Sequence, residues 1–334
     1  MKDILNHLFE GKKLSKQQAK DTLIDIANLR NCNNSQIASF ITSFLMRSVT
    51  VEELEGFREA LLELCIPIEF DAYNPIDLCG TGGDGKNAFN ISTISSFVVA
   101  GAGVNVAKHG NYGVSSLCGS SNVLEFLGLK FTNDKGILEK QISETGICFL
   151  HAPLFHPALK NLAPIRKELG VKTFFNILGP MVNPTKPKNQ IVGVFSLELL
   201  RLYGYIYQKT DKNFTIIHSM DGFDEISLTA DVKVFGKEGE KTINPDYFGF
   251  KYRTLAELSG GSSIQEAADI LLNVLQNKGT EAQNQVVFAN SAMAIMCAKP
   301  ETSINDALLM AKESLQSGKA FDTFKKMVSI SPAN

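Results

Sequence analysis

The chain has 334 residues, 44% of them hydrophobic and 20% charged, with a formal net charge of −2. That length supports a large core and more than one domain, and the slightly acidic balance argues against a nucleic-acid partner. No apolar run approaches the length of a membrane span, and the polar N-terminus "MKDILNHLFEGKKLSKQQAKD" has no signal-peptide core, so a cytoplasmic protein with no membrane partner is expected.

The first segment reads as helix alone. Ser15 with Gln18, and Thr50 with Glu53, have capping-box spacing, and Ser35 stands where it could cap a further helix. Behind it Ile37, Phe40, Ile41, Phe44 and Leu45 fall on one helical face, as do Leu54, Phe57 and Leu61 in the next helix. No strand is expected before Pro67. From Pro75 the texture changes. The short apolar runs "PIDLC", "VNVA", "GICFL", "QIVGVFS" and "FTIIHS" alternate with helical stretches such as "STISSFVVAGAG" and "SNVLEFLG". This alternation predicts an α/β domain with a mainly parallel central sheet flanked by helices. Between Pro157 and Pro184 four prolines break the pattern into kinked helices. The expected organisation is a small all-helical domain over 1–70 with a helical return near 157–185, and a large α/β domain over 71–156 and 186–334. "KVFGKEGEKTINPDYFGF" reads as a small hairpin-rich insert, and the tail from Thr254 is mostly helical.

The chemistry gathers in four segments. "GTGGDGKNAFNIST", from Gly80 to Thr93, carries four glycines in six residues between a predicted strand and a predicted helix starting near Ser92. Backbone N–H groups at such a junction can cradle phosphate, aided by the helix dipole. The loop is neither a Walker A motif nor a G-x-G-x-x-G fingerprint. A tight turn is the alternative, but four glycines exceed what a turn needs. A second strand–loop–helix, "VAKHGNYGVSSLCGSSNVLEFLG", offers a loop with Lys108, His109, Gly110, Asn111, Ser115, Ser116, Gly119 and Ser120. Both loops would lie at the carboxyl ends of strands, where α/β sheets bind ligands. Third, Asp221, Asp224 and Glu225 in "HSMDGFDEIS" could hold Mg²⁺, although Asp-Gly is also a common turn dipeptide. Fourth, "HAPLFHPALKNLAPIRKELG" contributes His151, His156 and Arg166, and a guanidinium fork suits a planar carboxylate, although a helix-surface charge is the commoner role. The histidines lack zinc-site spacing. The six cysteines show no CxxC pair and are expected to be reduced, buried thiols.

Together these segments resemble the anthranilate phosphoribosyltransferase family, whose fold is shared with pyrimidine nucleoside phosphorylases. The matching stretches are "GTGGDGKNAFNIST", "KHGNYGVSS" with "GSSNVLEFLG", "HPALKNLAPIRKELGVKTFFNILGPMVNP" and "DGFDE". The resemblance spans nearly the whole chain. It implies transfer of a phosphoribosyl group from phosphoribosyl pyrophosphate to the amine of anthranilate, in tryptophan biosynthesis, by a homodimer with two Mg²⁺ ions per site. It implies that Gly80, Gly83, Asp84 and the region of Ala88 wrap the diphosphate and ribose. Asn90, Ile91, Ser92 and Thr93 continue that cradle. Lys108, His109, Gly110, Asn111, Tyr112, Gly113, Val114, Ser115, Ser116 and Ser120 bind the phosphoribosyl group. Ser92, Asp224 and Glu225 hold metal. Gly80, Asn111 and Arg166 contact anthranilate, Arg166 through the carboxylate, with His109 and His156 lining its channel. The region of Gly179 and Pro180 lies near an interdomain hinge. No residue is implied as a general acid or base. The chain departs from the family pattern at Ala88, usually threonine, and at Tyr112-Gly113, usually Arg-Ala. The alternative reading is a pyrimidine nucleoside phosphorylase of the same fold. "KHGN", Arg166 and the paired Asp224-Glu225 argue against it.

Overall fold

The structure is a computed structural model that describes residues 1–113 and 118–332. The chain opens with helices α1 (Lys2–Phe9), α2 (Lys16–Ala27), α3 (Asn34–Ser43) and α4 (Val51–Leu64), followed by strand β1 (Ile76–Gly80). Helix α5 (Ile91–Gly101), β2 (Val106–Gly110), α6 (Ser120–Phe126), α7 (Lys135–Thr145), β3 (Ile147–His151), α8 (Ala152–Phe155) and α9 (Ala163–Leu169) come next. The chain then runs through β4 (Asn189–Gly193), α10 (Leu197–Tyr207), β5 (Asn213–Ser219), β6 (Val232–Gly236) and β7 (Gly239–Ile243). It ends in α11 (Ile264–Leu275), α12 (Glu281–Ala298), α13 (Ile304–Gln316) and α14 (Lys319–Ser329). Two compact units result, Met1–Ile68 with Ala152–Lys186, and Glu69–His151 with Pro187–Asn334. No helix among the described residues is long and apolar enough to cross a membrane.

The first unit is helical throughout. Ser15–Gln18 and Thr50–Glu53 close reciprocal capping boxes, as their spacing predicts. The third helix is capped by Asn33 and not by Ser35, because Asn33 and Gln36 form the same kind of box. That helix stops at Ser43, so Leu45 leaves the apolar face and is 42% exposed. Phe40, Phe44, Phe57 and Phe174 form the aromatic centre, with Phe57 and Phe174 stacked at 4.5 Å. Such ring pairs contribute about 0.5–1.5 kcal/mol beyond area burial. The proline-rich return alternates short 3₁₀ turns with α9, and Pro157, Pro164 and Pro180 fall in first turns, where a missing N–H is harmless.

The second unit is built on one seven-stranded sheet of order β3-β2-β1-β4-β5-β6-β7. β1 to β5 run parallel, while β6 and β7 pair antiparallel at the edge. The expected insert is therefore a hairpin that extends the main sheet. Helix α5 is buried on nearly every side, and Phe97, Val98 and Ile94 join residues of α12 in the core. An all-round apolar helix must lie inside the unit. All six cysteines are free, as expected, but Cys32, Cys79 and Cys118 are only partly buried.

Candidate active site

The parallel strands deliver their carboxyl ends to one edge of the sheet. From β1 the chain moves outward to β2 and β3, then returns to the other side of β1 for β4 and β5. Strand order thus reverses between β1 and β4, the crevice where open α/β sheets take ligands. There β1 and β4 end in register on two glycines, Gly80 opposite Gly193. The turn carrying Asp224 folds back over them. A Cβ on Gly80 would lie 2.3 Å from Asp224 Oδ2, and one on Gly193 would lie 1.4 Å from the Asp224 carbonyl oxygen.

The glycine-rich loop leaves this edge at Thr81 and enters α5 at Ile91. Gly82, Gly83 and Gly85 take φ of 63°, 79° and 72°, a left-handed region that other residues enter at a cost. Thr81 N–H donates to Gly193 O at 2.9 Å and Gly82 N–H to Asp224 Oδ2 at 2.7 Å. At the far end Ser92 N–H, in the first turn of α5, donates to Glu225 Oε1 at 2.9 Å. The two ends of one loop therefore each hold one carboxylate of the acidic pair. A hydrogen bond to a charged group contributes about 1.5–3 kcal/mol.

The acids stand in an unfavourable place. Burial, then the charge of Asp84, pushes Asp224 up to about 7 against the Gly82 N–H. Burial, then the charge of Asp224, pushes Glu225 up to about 8 against the Ser92 N–H and the Lys108 ammonium. Beside them lies a cavity of about 20 Å³, lined by Gly80, Ser92, Ser95, Asp224, Glu225 and Asn290 among others. That is room for roughly one water-sized atom. Hard oxygen donors beside a small cavity, repelling one another, fit Mg²⁺, which takes one or two carboxylates and leaves other positions to water and substrate. Among the described residues no group of three His, Cys, Asp or Glu side chains encloses a metal. The arrangement is open, with two adjacent acids.

Asn290 is a member of this site that the sequence reading missed. Its Nδ2 donates to Ile226 O at 2.8 Å and its Oδ1 accepts from Ile226 N–H at 3.0 Å. It thereby fixes the residue directly after Glu225 from helix α12. The signal was a buried amide inside the apolar run "VVFANSAMAIM".

The second motif falls differently from expectation. Lys108, His109 and Gly110 are the last residues of β2, not the start of a loop. The Lys108 side chain is buried and its ammonium donates to Leu78 O at 2.6 Å. His109 is buried too, and its N–H donates to Asp77 Oδ1 at 3.1 Å. The loop proper begins at Asn111, whose carbonyl accepts from Ser121 N–H at 3.1 Å and from the Ser120 hydroxyl at 3.3 Å. Asn122 Oδ1 accepts from both Gly113 and Gly119 N–H. Tyr112 lies edge-on to His151 at 4.9 Å and donates to Glu125. Val114, Ser115 and Ser116 lie outside the described residues. Asn90, directly before the first residue of α5, donates from Nδ2 to Cys118 O at 3.1 Å, linking the two loops. Ile91 and Thr93 are buried.

Arg166 and His156 belong to the helical unit. Arg166 lies on α9 with its guanidinium 5.0 Å from the Phe175 ring centre. Burial alone lowers its pKa from the usual guanidinium value. His156 is buried, and its Nε2 donates to Val182 O at 2.9 Å.

A helical unit combined with a parallel-sheet unit, carrying an acidic pair tied to a glycine loop at the switch point, defines a class of group-transfer enzymes. Residues 2–65 match the helical bundle domain of a glycosyl transferase family and residues 72–321 match its a/b domain. A solved anthranilate phosphoribosyltransferase from Thermus thermophilus superposes with a TM-score of 0.90 at 29% identity, covering 98% of each chain. One from Saccharomyces cerevisiae, in complex with PRPP and Mg, gives 0.90 at 26%, covering 98% of this chain and 96% of the other. The anthranilate phosphoribosyltransferase of Flavobacterium psychrophilum is 60% identical over 99% of this chain and 100% of its own length. That of Christiangramia forsetii is 57% identical over 99% of each. The chain belongs to this glycosyl transferase family and, within it, to the anthranilate phosphoribosyltransferases.

Proposed function

We propose that this chain transfers the 5-phosphoribosyl group of phosphoribosyl pyrophosphate to the amine of anthranilate, releasing pyrophosphate, as a step of tryptophan biosynthesis. The observation that carries the residue-level reading is the Asp224–Glu225 pair, held by N–H groups at both ends of the glycine loop. Gly80, Gly83, Asp84, Asn90 and the first turn of α5 take the diphosphate and ribose. The β2–α6 loop takes the phosphoribosyl end. Lys108 acts here through its charge, because its ammonium is turned to Leu78. Asp224, Glu225 and the Ser92 hydroxyl hold two Mg²⁺ ions, the yeast relative's complex with PRPP and Mg supporting the metal. When bound, the metal stabilises negative charge on the departing pyrophosphate.

The protein's part is positioning and electrostatics. Gly80 and Asn111 bound the amine's approach, and Arg166 reads the carboxylate through its fork. His109 and His156, both buried, are the proposed wall of the anthranilate channel. An aromatic amine is neutral near pH 7, so no strong base is needed. A homodimer through the helical unit is supported by its exposed Phe9, Leu45 and Met46, at 64%, 42% and 84%. A cytoplasmic location fits a biosynthetic enzyme.

Anthranilate fluorescence tests the reading. It should fall on addition of phosphoribosyl pyrophosphate with Mg²⁺ and stay constant with either alone. Phosphorolysis of a pyrimidine nucleoside, with no loss of anthranilate, would reverse the assignment.

A further inference from the structure

We infer that the segment Leu258–Gly261, far from the binding motifs in sequence, is a clamp that sets the shape of the glycine loop, and that Gly260 is a positioning residue for phosphoribosyl pyrophosphate. The inference rests on reading that loop as the pyrophosphate cradle.

The loop is tied at Thr81 and Gly82 on one side, and the stretch Asn87–Phe89 needs its own anchor. It finds one about 170 residues along the chain. Phe89 N–H donates to Leu258 O at 3.0 Å and Gly260 N–H donates to Asn87 O at 2.7 Å. Ala88 and Ser259 thereby form an antiparallel bridge outside the main sheet. Asn87 Nδ2 adds a bond to Gly261 O at 2.7 Å. The clamp is itself held. Leu258 is buried in the core, and Ser262 N–H donates to Glu266 in the first turn of α11.

Gly260 makes this contact possible. A Cβ there would lie 2.5 Å from Ala88 O, 2.8 Å from Ala88 C and 3.1 Å from Phe89 N. All three atoms are backbone, so no rotamer change relieves the contact. Gly260 does not lie in the left-handed region, so alanine would be unstrained in its own backbone. The added methyl can only push the loop from the clamp. Displacing Asn87–Phe89 moves the following residues, Asn90 to Ser92, which belong to the diphosphate cradle in the reading above and hold Glu225 through the Ser92 N–H. Misplacement by about 1 Å at a binding constellation can reduce rate by roughly 100-fold.

The test is Gly260→Ala, with Asn87→Ala as a milder variant that removes one bond and adds no bulk. Both are assayed for steady-state constants and for direct binding of phosphoribosyl pyrophosphate with Mg²⁺ by calorimetry. In Gly260→Ala the KM and Kd for phosphoribosyl pyrophosphate should rise by about tenfold or more, and in Asn87→Ala by a few-fold. The KM for anthranilate, measured at saturating phosphoribosyl pyrophosphate, should change less than about twofold in both. Equal rises in both KM values, or unchanged binding in variants with native circular dichroism, overturn the clamp. If Gly260→Ala does not fold, Asn87→Ala alone decides between the same outcomes. Failure of the wild-type chain to bind phosphoribosyl pyrophosphate would instead overturn the underlying reading of the loop.

Discussion

Gly193 and Asp224 are in such close contact that one cannot gain a side chain without moving the other. A Cβ at Gly193 would meet the Asp224 carbonyl oxygen at 1.4 Å, well inside any tolerable distance. Gly193→Ala must therefore shift the acidic turn. Because the clash is with backbone, the loss should appear in chemistry as well as in stability. We expect kcat/KM to fall by roughly 100-fold and the Mg²⁺ concentration for half-maximal rate to rise. Steady-state assays over a Mg²⁺ series, with a thermal melt as control, check both. An unchanged Mg²⁺ requirement would separate Gly193 from the metal site.

The acidic pair gives a second expectation. Asp224 and Glu225 are held close together, and each is destabilised by burial and by neighbouring carboxylate charge. A cation bound between them relieves that repulsion and stabilises the native state by mass action, by about 2.7 kcal/mol at 100 times its Kd. Mg²⁺ should therefore raise the melting temperature of the wild type. The double variant Asp224→Asn with Glu225→Gln should lose most turnover and show no such rise. A variant that keeps full activity, or wild-type activity that persists in excess chelator, would remove these residues from the metal role.

How much of this was readable in the sequence depends on separation along the chain. Strand-then-glycine-then-helix is local, so the loop at Gly80 and the turn at Asp224 were both visible. Their relation was not, because Gly82 and Asp224 are 142 positions apart and nothing between them marks the hydrogen bond that joins them. The clamp at Gly260 was hidden for the same reason: its glycine answers to a backbone oxygen at Ala88, not to a turn. Lys108 reads as a loop cation in the sequence because lysines seldom enter strands buried on both faces. Its ammonium resolves the cost by donating to Leu78 O. Ser35 offers a cap in the sequence, yet Asn33 with Gln36 repeats the spacing found at Ser15 and forms the box. Asn290 looked like one polar residue in an apolar helix, and only the fold shows that it bonds Ile226 on both sides.

His156 predicts a pH dependence of the helical unit. Burial lowers its pKa from 6.5 to about 4 although two backbone bonds oppose the shift. The folded state thus binds fewer protons than the unfolded state between those values. Its contribution is complete above the unfolded pKa and is lost as pH falls from about 6.5 toward about 4. Circular-dichroism melts should show the wild type losing stability through that window. His156→Gln, which keeps a donor for Val182 O, should lose less over the same range. An equal slope in both proteins would assign the acid lability elsewhere, with His151, also lowered to about 4, the next group to test.

Among the described residues no carboxylate pairs with Arg166, and burial lowers its pKa from the usual guanidinium value. A half-buried guanidinium stacked on Phe175 is held in place with its fork available. Arg166→Ala should raise the KM for anthranilate by roughly tenfold or more, as expected for loss of a charged hydrogen bond of about 1.5–3 kcal/mol. The KM for phosphoribosyl pyrophosphate should change far less. Arg166→Lys should recover only part of the loss, because an ammonium cannot form the bidentate pair. Equal effects on the two substrates would make Arg166 a structural residue.

The resemblance implies threonine at the position of Ala88, and the structure gives Ala88 a definite setting. Its backbone is engaged in the bridge to Ser259, and its methyl packs partly buried against the edge of the core. Threonine suits both features, since a β-branched residue favours the extended backbone of a bridge and its methyl can keep the apolar contact. The hydroxyl is the new element. If it reaches a substrate oxygen it adds a hydrogen bond of about 1.5–3 kcal/mol to a charged acceptor, less whatever a bridging water already supplies at an ordering cost of about 0–2 kcal/mol. Ala88→Thr should therefore lower the KM for phosphoribosyl pyrophosphate by a few-fold and leave that for anthranilate nearly constant. Titrating both substrates at fixed Mg²⁺ against the two proteins gives the answer. Should neither constant change while stability rises, the hydroxyl is no ligand and the loop holds its substrate by backbone N–H groups, as the bonds at Gly82 and Ser92 already hold the two acids.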